Sequence, residues 1–153
     1  MAITMTTHMT DSLTASQLTH ILQTCRTIAV VGLSPKPDRA SHEVSQYMQA
    51  HGYRIVPVNP VAAASGEKIL GEKVYASLSE AAQAEKIDMV DCFRNSVDIP
   101  PIAEEAINIG ASVLWMQLGI SHEASAVKAE AAGLAVVQNR CLLIEHRRLA
   151  HLL

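Results

Sequence analysis

Apolar positions along this chain recur with two different periods, and the two alternate. From Thr14 to about Cys25 the period is helical: Leu18, Ile21, Leu22 and Cys25 form one stripe. Thr14 and Gln17 have capping-box spacing there, and Leu13 can staple onto Leu18. Thr27 to Gly32 (TIAVVG) is instead an unbroken, β-branched run closed by glycine, the pattern of a strand buried on both faces. A helix from about Arg39 to His51 follows, with Ala40, Val44, Tyr47 and Met48 on one face and Gly52 at its end. Arg54 to Val58 (RIVPV) reads as a second strand, in which Pro57 needs a position whose N–H is not required for pairing.

The span Val61 to Lys73 reads as a loop. Ser77 and Glu80 form a second capping box opening a short helix to about Ala84, and Asp88 to Phe93 is the third strand. Asp98 is placed to cap a helix with Pro100 and Pro101 in its first turn and Gly110 closing it. Ser112 to Gln117 is strand four, Ser121 caps a helix ending at Gly133, and Leu134 to Gln138 is strand five. Asn139 to Leu153 reads as a polar tail ending in a turn of helix. Five strands alternating with four helices predict an α/β fold: a Rossmann-like five-stranded parallel sheet of order 3-2-1-4-5, helices on both faces. A flexible N-terminus over residues 1–13 and one domain over residues 14–153 complete the expected organisation.

Composition sharpens this picture. The 153 residues are 49% hydrophobic but only 3% aromatic, so the core must come from aliphatic side chains, and stacking platforms for single-stranded nucleic acid are not expected. A net charge of -3 supplies no global field for nucleic acid or anionic membrane. Three cysteines, Cys25, Cys92 and Cys141, lack CxxC spacing and point to reduced thiols in the cytoplasm. No apolar run approaches the roughly 18 residues of a membrane span. The histidines show no ligand-type pairing, so no metal is expected.

In sheets of this kind ligands bind beyond the carboxyl ends of the strands, here expected near a switch point between strands one and four. The first loop, Gly32 to Arg39, joins a strand to a helix, so its N–H groups and the helix terminus suit phosphate, with Ser34, Lys36 and Ser41 adding donors. Only Gly32 of GxGxxG is present, and strand two ends in Asn59 where an NAD ribose would want an acid; NAD is disfavoured. Gly32 alone could simply turn the chain, and Lys36 and Arg39 could be solvated surface charges. Arg94, directly after strand three, offers a fixed fork for phosphate, or else pairs with Asp91 or Asp98. Asn59 before Pro60 suits an adenine or an amide, and equally a turn. Phe93, Gln117 and Gly119 lie in the same set of loops. Cys141 with Glu145 and His146 has the parts of a nucleophilic site; the plainer reading is a small buried thiol followed by a solvated helix. Asp88 and Asp91 fall within strand three, and Glu104 and Glu105 on the outer face of a helix.

Six ordered segments carry a resemblance: TIAVVGLSPKPDRASHEV, VNP, LGEKVYASL, DMVDCFR, WMQLG and NRCLLIEHRRL. Together they resemble the small stand-alone CoA-binding proteins, which are similar to the N-terminal CoA-binding domain of the succinyl-CoA synthetase alpha subunit. The resemblance extends over roughly residues 14 to 150 and implies coenzyme A as cofactor. Carried over by position, it implies that Gly32, Ser34 and Lys36 approach the phosphates, that Asn59 and Pro60 border the nucleotide, and that Phe93 with Arg94 forms the crevice wall. Arg39, Ser41, Gln117 and Gly119 complete the expected binding set. The ligase relatives have a second domain that this chain does not include. The expected function is therefore that of a carrier, sensor or regulatory module for CoA or an acyl-CoA, without catalysis and without nucleic-acid or membrane partners. The alternatives are a CoA-dependent acyl-transfer or thiol-redox enzyme using Cys141 or Cys92, and a module for another nucleotide such as NADP.

Overall fold

In the computed structural model, which describes residues 13–153, the β-branched runs form one parallel sheet. Its strands are β1 (Thr27–Val31), β2 (Arg54–Val58), β3 (Met89–Cys92), β4 (Val113–Met116) and β5 (Ala135–Val137). Seven α-helices of the described residues accompany them: α1 (Ala15–Thr24), α2 (Ala40–Ala50), α3 (Pro60–Ser65), α4 (Leu78–Ala84), α5 (Ile99–Asn108), α6 (Glu123–Ala131) and α7 (Leu142–Leu149). Alternation along the strands splits the core into two layers. Ala29, Val31, Val58, Val90, Cys92, Leu114 and Met116 pack with Leu78, Ile102 and Ala126 of α4, α5 and α6. Ile28, Val30, Met89, Val113 and Trp115 pack with Leu18, Met48 and Leu142 of α1, α2 and α7. The register aligns Val58, Val31, Cys92 and Met116 at the carboxyl edge, so the following loops emerge side by side.

The strand order is β2-β1-β3-β4-β5, not 3-2-1-4-5. The segment that lies outside β2 makes a single parallel bridge, Val58 to Tyr75, just past the span expected to be a loop. With that position held by one residue, the next full strand pairs on the other side of β1. The switch point therefore lies between β1 and β3. The same bridge explains Pro57. Its carbonyl accepts from the Tyr75 N–H at 3.0 Å, so its nitrogen also faces the outer edge and no ladder bond to β1 is lost.

The Thr14–Gln17 box is formed in both directions, at 3.1 and 2.8 Å. Ser77 accepts from the Glu80 N–H, while the Glu80 carboxylate accepts from Ala76, one residue ahead of the expected partner. Asp98 sits at the N-cap of α5 without capping it, because its backbone is already helical, φ -89° and ψ -3°, at the end of a 3-10 turn over Ser96–Asp98. His122, not Ser121, caps α6, accepting from the Ser125 N–H at 3.2 Å. Part of the expected loop is α3, and the expected polar tail contains α7. Of the N-terminal segment expected to be flexible, residues 1–12 lie outside the described residues; Leu13 packs against the second layer.

Candidate functional site

The loop after β1 is held by its own hydroxyls. Ser41, buried in the first turn of α2, accepts from the Ser34 N–H at 3.0 Å, and the Ser34 hydroxyl accepts from the Lys36 N–H at 3.1 Å. Two backbone donors expected to face a ligand are therefore used internally, while each hydroxyl keeps its own proton to donate. Lys36 and Arg39 are exposed on this loop, and neither forms an ion pair among the described residues. Asn59 is the fastener. Its amide donates to the Leu33 carbonyl at 3.0 Å and its oxygen accepts from the N–H groups of Val61 and Ala62, so it caps α3 and ties that helix to the loop. Asn59 is thus the N-cap of α3 rather than a turn residue.

Gly32 has φ +90°, and a Cβ there would lie 3.1 Å from the Phe93 carbonyl and 3.0 Å from Arg94 Cδ. The glycine thus lets the Arg94 side chain cross the tip of β1. Phe93 is half-buried against the second core layer. Gly32, Pro60 and Arg94 line one cleft of about 270 Å³. Val31, Val58, Leu78, Pro101 and Ile102 supply its apolar walls, and Ser77, Asp98 and Glu105 its remaining polar groups. Ser34, Lys36, Arg39 and Ser41 lie along the neighbouring loop and helix start. Glu105 is not on the outer face expected of it: it lines this cleft and accepts from the Ser79 hydroxyl at 2.9 Å, whereas Glu104 does face outward, paired with Lys128. The i, i+3, i+4, i+7 spacing of Asp98, Pro101, Ile102 and Glu105 was the available signal.

Gln117 is fully engaged inside the protein. It donates to Asp91 Oδ1 at 2.6 Å and accepts from the Leu142 N–H at 3.3 Å, so it joins β4 to β3 and to the start of α7. Burial pushes the Asp91 carboxyl up to about 7, with the Gln117 bond opposing. Gly119, at φ +84°, donates its N–H to Asn139 Oδ1 at 2.7 Å. Beside it opens a second cavity of about 620 Å³, lined by Leu118, Ser121, Gln138, Arg140, Cys141 and Ile144 among others.

Cys141 is half-buried at this cavity. Cys92 is buried with its thiol pushed well up by burial, and burial pushes Cys25 up to about 11, so neither is an activated nucleophile. Glu145 and His146 are buried, contrary to the solvated helix expected. Glu145 pairs with Arg148 at 2.7 Å and Arg140 at 3.6 Å, and His146 Nδ1 lies 2.8 Å from the Tyr47 hydroxyl. Burial, then His51 and Arg26, push His146 down. His146 is thus directed to Tyr47, about 140° around the helix from Cys141 by its spacing. Among the described residues no cluster of His, Cys, Asp or Glu suits a metal, and no helix is long and apolar enough to cross a membrane.

With this geometry in hand, comparison with known proteins is specific. A family model described as a CoA binding domain matches residues 26–147. The uncharacterized protein YneT of Bacillus subtilis (strain 168) is 40% identical over 131 residues, 86% of this chain and 93% of that protein. A hypothetical protein from Pyrococcus horikoshii OT3 superposes with TM-score 0.85 at 38% identity, over 92% of this chain and 94% of its own. The Thermus thermophilus protein cell-free ID.343 does so with TM-score 0.83 at 35% identity, over 90% and 99%.

Proposed function

The chain belongs to the CoA-binding domain family and is a coenzyme A-binding module, and we propose that it acts as a receptor, a carrier, sensor or regulatory unit, without turnover of its own. The observation that carries this reading is the family match spanning residues 26–147, which includes every loop at the carboxyl edge of the sheet. In this reading Lys36, Arg39 and Arg94 meet the phosphates, with the Ser34 and Ser41 hydroxyls donating alongside. Gly32 allows close approach, Pro60 borders the nucleotide, and Phe93, Asn59, Gln117 and Gly119 hold the frame. Binding that is equally strong in every state of a ligand makes a receptor and lowers no barrier. Free CoA and acyl-CoA are both admitted, and three unpaired cysteines favour a reducing compartment such as the cytoplasm.

Calorimetry tests the ligand: CoA should bind at least about tenfold tighter than NAD, a gap of about 1.4 kcal/mol, and equal or tighter NAD binding would sink the reading. Incubation with acetyl-CoA, succinyl-CoA and a longer acyl-CoA should give no thioester formation or hydrolysis above background. Turnover that survives repurification and vanishes in Cys141→Ser would replace the receptor with a thiol enzyme.

A further inference from the structure

Helix α7 is held by different chemistry at its start and along its length. At its start the chain is pinned to the sheet: the Trp115 indole N–H donates to the Arg140 carbonyl at 2.8 Å, and the Leu142 N–H donates to Gln117 Oε1 at 3.3 Å. One turn later a polar bond joins the helix to α2, from His146 Nδ1 to the Tyr47 hydroxyl at 2.8 Å. Leu142 and Leu149 are buried in the second core layer, but α7 belongs to no strand ladder and can move without breaking the sheet.

Rings and cations surround His146. From α2 comes His51, whose ring centroid lies 5.0 Å from that of His146 and whose Nδ1 donates to the Tyr47 carbonyl at 2.7 Å. Tyr53, just ahead of β2, meets His146 edge-on at 5.7 Å, and Arg26, just ahead of β1, lies over the Tyr53 ring at 4.4 Å. Helix α1 packs on α7 with its apolar face; its His20 is exposed, and the Cys25 thiol at its end, raised by burial to about 11, carries no charge. On α7 itself Arg147 lies 5.7 Å from the Tyr47 ring, and the carboxylate of Glu145 is taken by Arg148 and Arg140. Among the described residues His146 has no carboxylate partner. A neutral imidazole fits this setting, accepting from the Tyr47 phenol. Protonation reverses that bond and leaves a buried imidazolium facing His51 and Arg26. Burial, then His51 and Arg26, hold His146 below its ordinary 6.5, so docking is fully supported above that pH and loses support as the pH falls through the lowered value. Acid does not undo the pinned start: Asp91, raised by burial to about 7, takes up its proton and still offers an oxygen to Gln117.

We propose that α7 is a proton-released flap: docked on α2 while His146 is neutral, it pivots about residues 140–142 when His146 is protonated, and so remodels the cavity of about 620 Å³ that Cys141, Ile144 and Glu145 help to line. The inference stands on this side-chain cluster and does not depend on the CoA reading.

The test follows the full chain by residue-resolved hydrogen exchange between about pH 7 and about pH 5, corrected for intrinsic rates, with the His146 ring titration read by NMR. Protection of the α7 amides should fall about tenfold or more beyond that of β1 and β3, at a midpoint matching His146. Trp115, the only tryptophan, should keep the emission of a buried indole, because the pivot is intact. His146→Phe keeps a ring in the cluster but takes no proton, and should abolish the selective loss. Loss shared equally by β1 and β3, no loss at all, or the same selective loss in His146→Phe would overturn the flap. Should His146→Phe fail to fold, the wild-type midpoints decide: coincidence of α7 with His146 supports the flap, and separation refutes it.

Discussion

Beyond β4 and β5 the polar side chains of the carboxyl edge are satisfied by the protein itself, while beyond β1 and β3 its cations face outward. Gln117 links Asp91 to the start of α7, Asn139 Oδ1 holds Gly119, Gln138 Oε1 accepts from the His122 N–H, and Trp115 Nε1 donates to the Arg140 carbonyl. Across the edge, Lys36 and Arg39 have no ion-pair partner among the described residues, and Arg94 has only a long, exposed one. In the proposed reading, the difference separates frame from receptor. Groups that hold their partners in the empty protein contribute stability, whereas unpaired cations at the surface cost little to keep and gain most when an anion arrives.

Substitution on the two sides should therefore have opposite signatures, and the largest effect belongs to the frame. Gln117→Leu leaves the Asp91 carboxyl and the Leu142 N–H without their partner, and is expected to lower unfolding free energy by about 3 kcal/mol in urea titrations. Its CoA affinity, measured where it is still folded, should change less than about threefold; a selective loss of binding would erase the division. Arg94→Ala is the mirror case. CoA should weaken by about 2 kcal/mol, with the melting temperature of the empty protein nearly unchanged, because the pair with Asp98 is exposed and long. A large fall in stability with intact affinity would move Arg94 into the frame.

A smaller effect follows from Asp91. Its folded pKa, raised by burial to about 7, lies above the roughly 3.9 of an unfolded aspartate, so the native state binds the extra proton between these values. The stability this contributes is complete below about pH 4 and is lost as pH rises through 7. Asp91→Asn keeps an acceptor for Gln117 and cannot ionise. It should be more stable than wild type at pH 8 by on the order of 1–2 kcal/mol, with the advantage fading toward pH 4. A gap that widens on acidification would mean that Asp91 is ionised in the native state.

The sequence reading reached the strands and the capping box of α1 because both depend on neighbours along the chain. Its errors lie where the wider fold decides. Asp98 has the residue type of a cap, but a 3-10 turn over Ser96–Asp98 runs into the helix and leaves its backbone helical. The Asn59-Pro60 pair fits a turn and equally an N-cap followed by proline at the first helical position, and the carbonyl of Leu33 favours the second. The strand order failed for want of one residue's worth of pairing at Tyr75. The placement of the cation loop and of Arg94 at the carboxyl edge was legible because each directly follows a strand. The burial of Gln117 against Asp91 is not legible because it depends on adjacent strands that only the fold brings together, and the cleft-facing side of Glu105 is not because it depends on the packing of α4.

Pro57 bears on how copies of this protein meet. Exposed sheet edges invite another strand to add on, and the outer side of β2 would be the place for it. Three successive positions face that way: Ile55, Pro57 and Asn59. Pro57 has no proton to give and its carbonyl is occupied by Tyr75, while the Asn59 N–H is already bonded to the Tyr75 carbonyl at 2.9 Å. Ile55 alone is left to offer a donor, too little to seed a ladder. Self-association by sheet extension is thus blocked along this edge, and any assembly of this chain through that flank must be built from side chains.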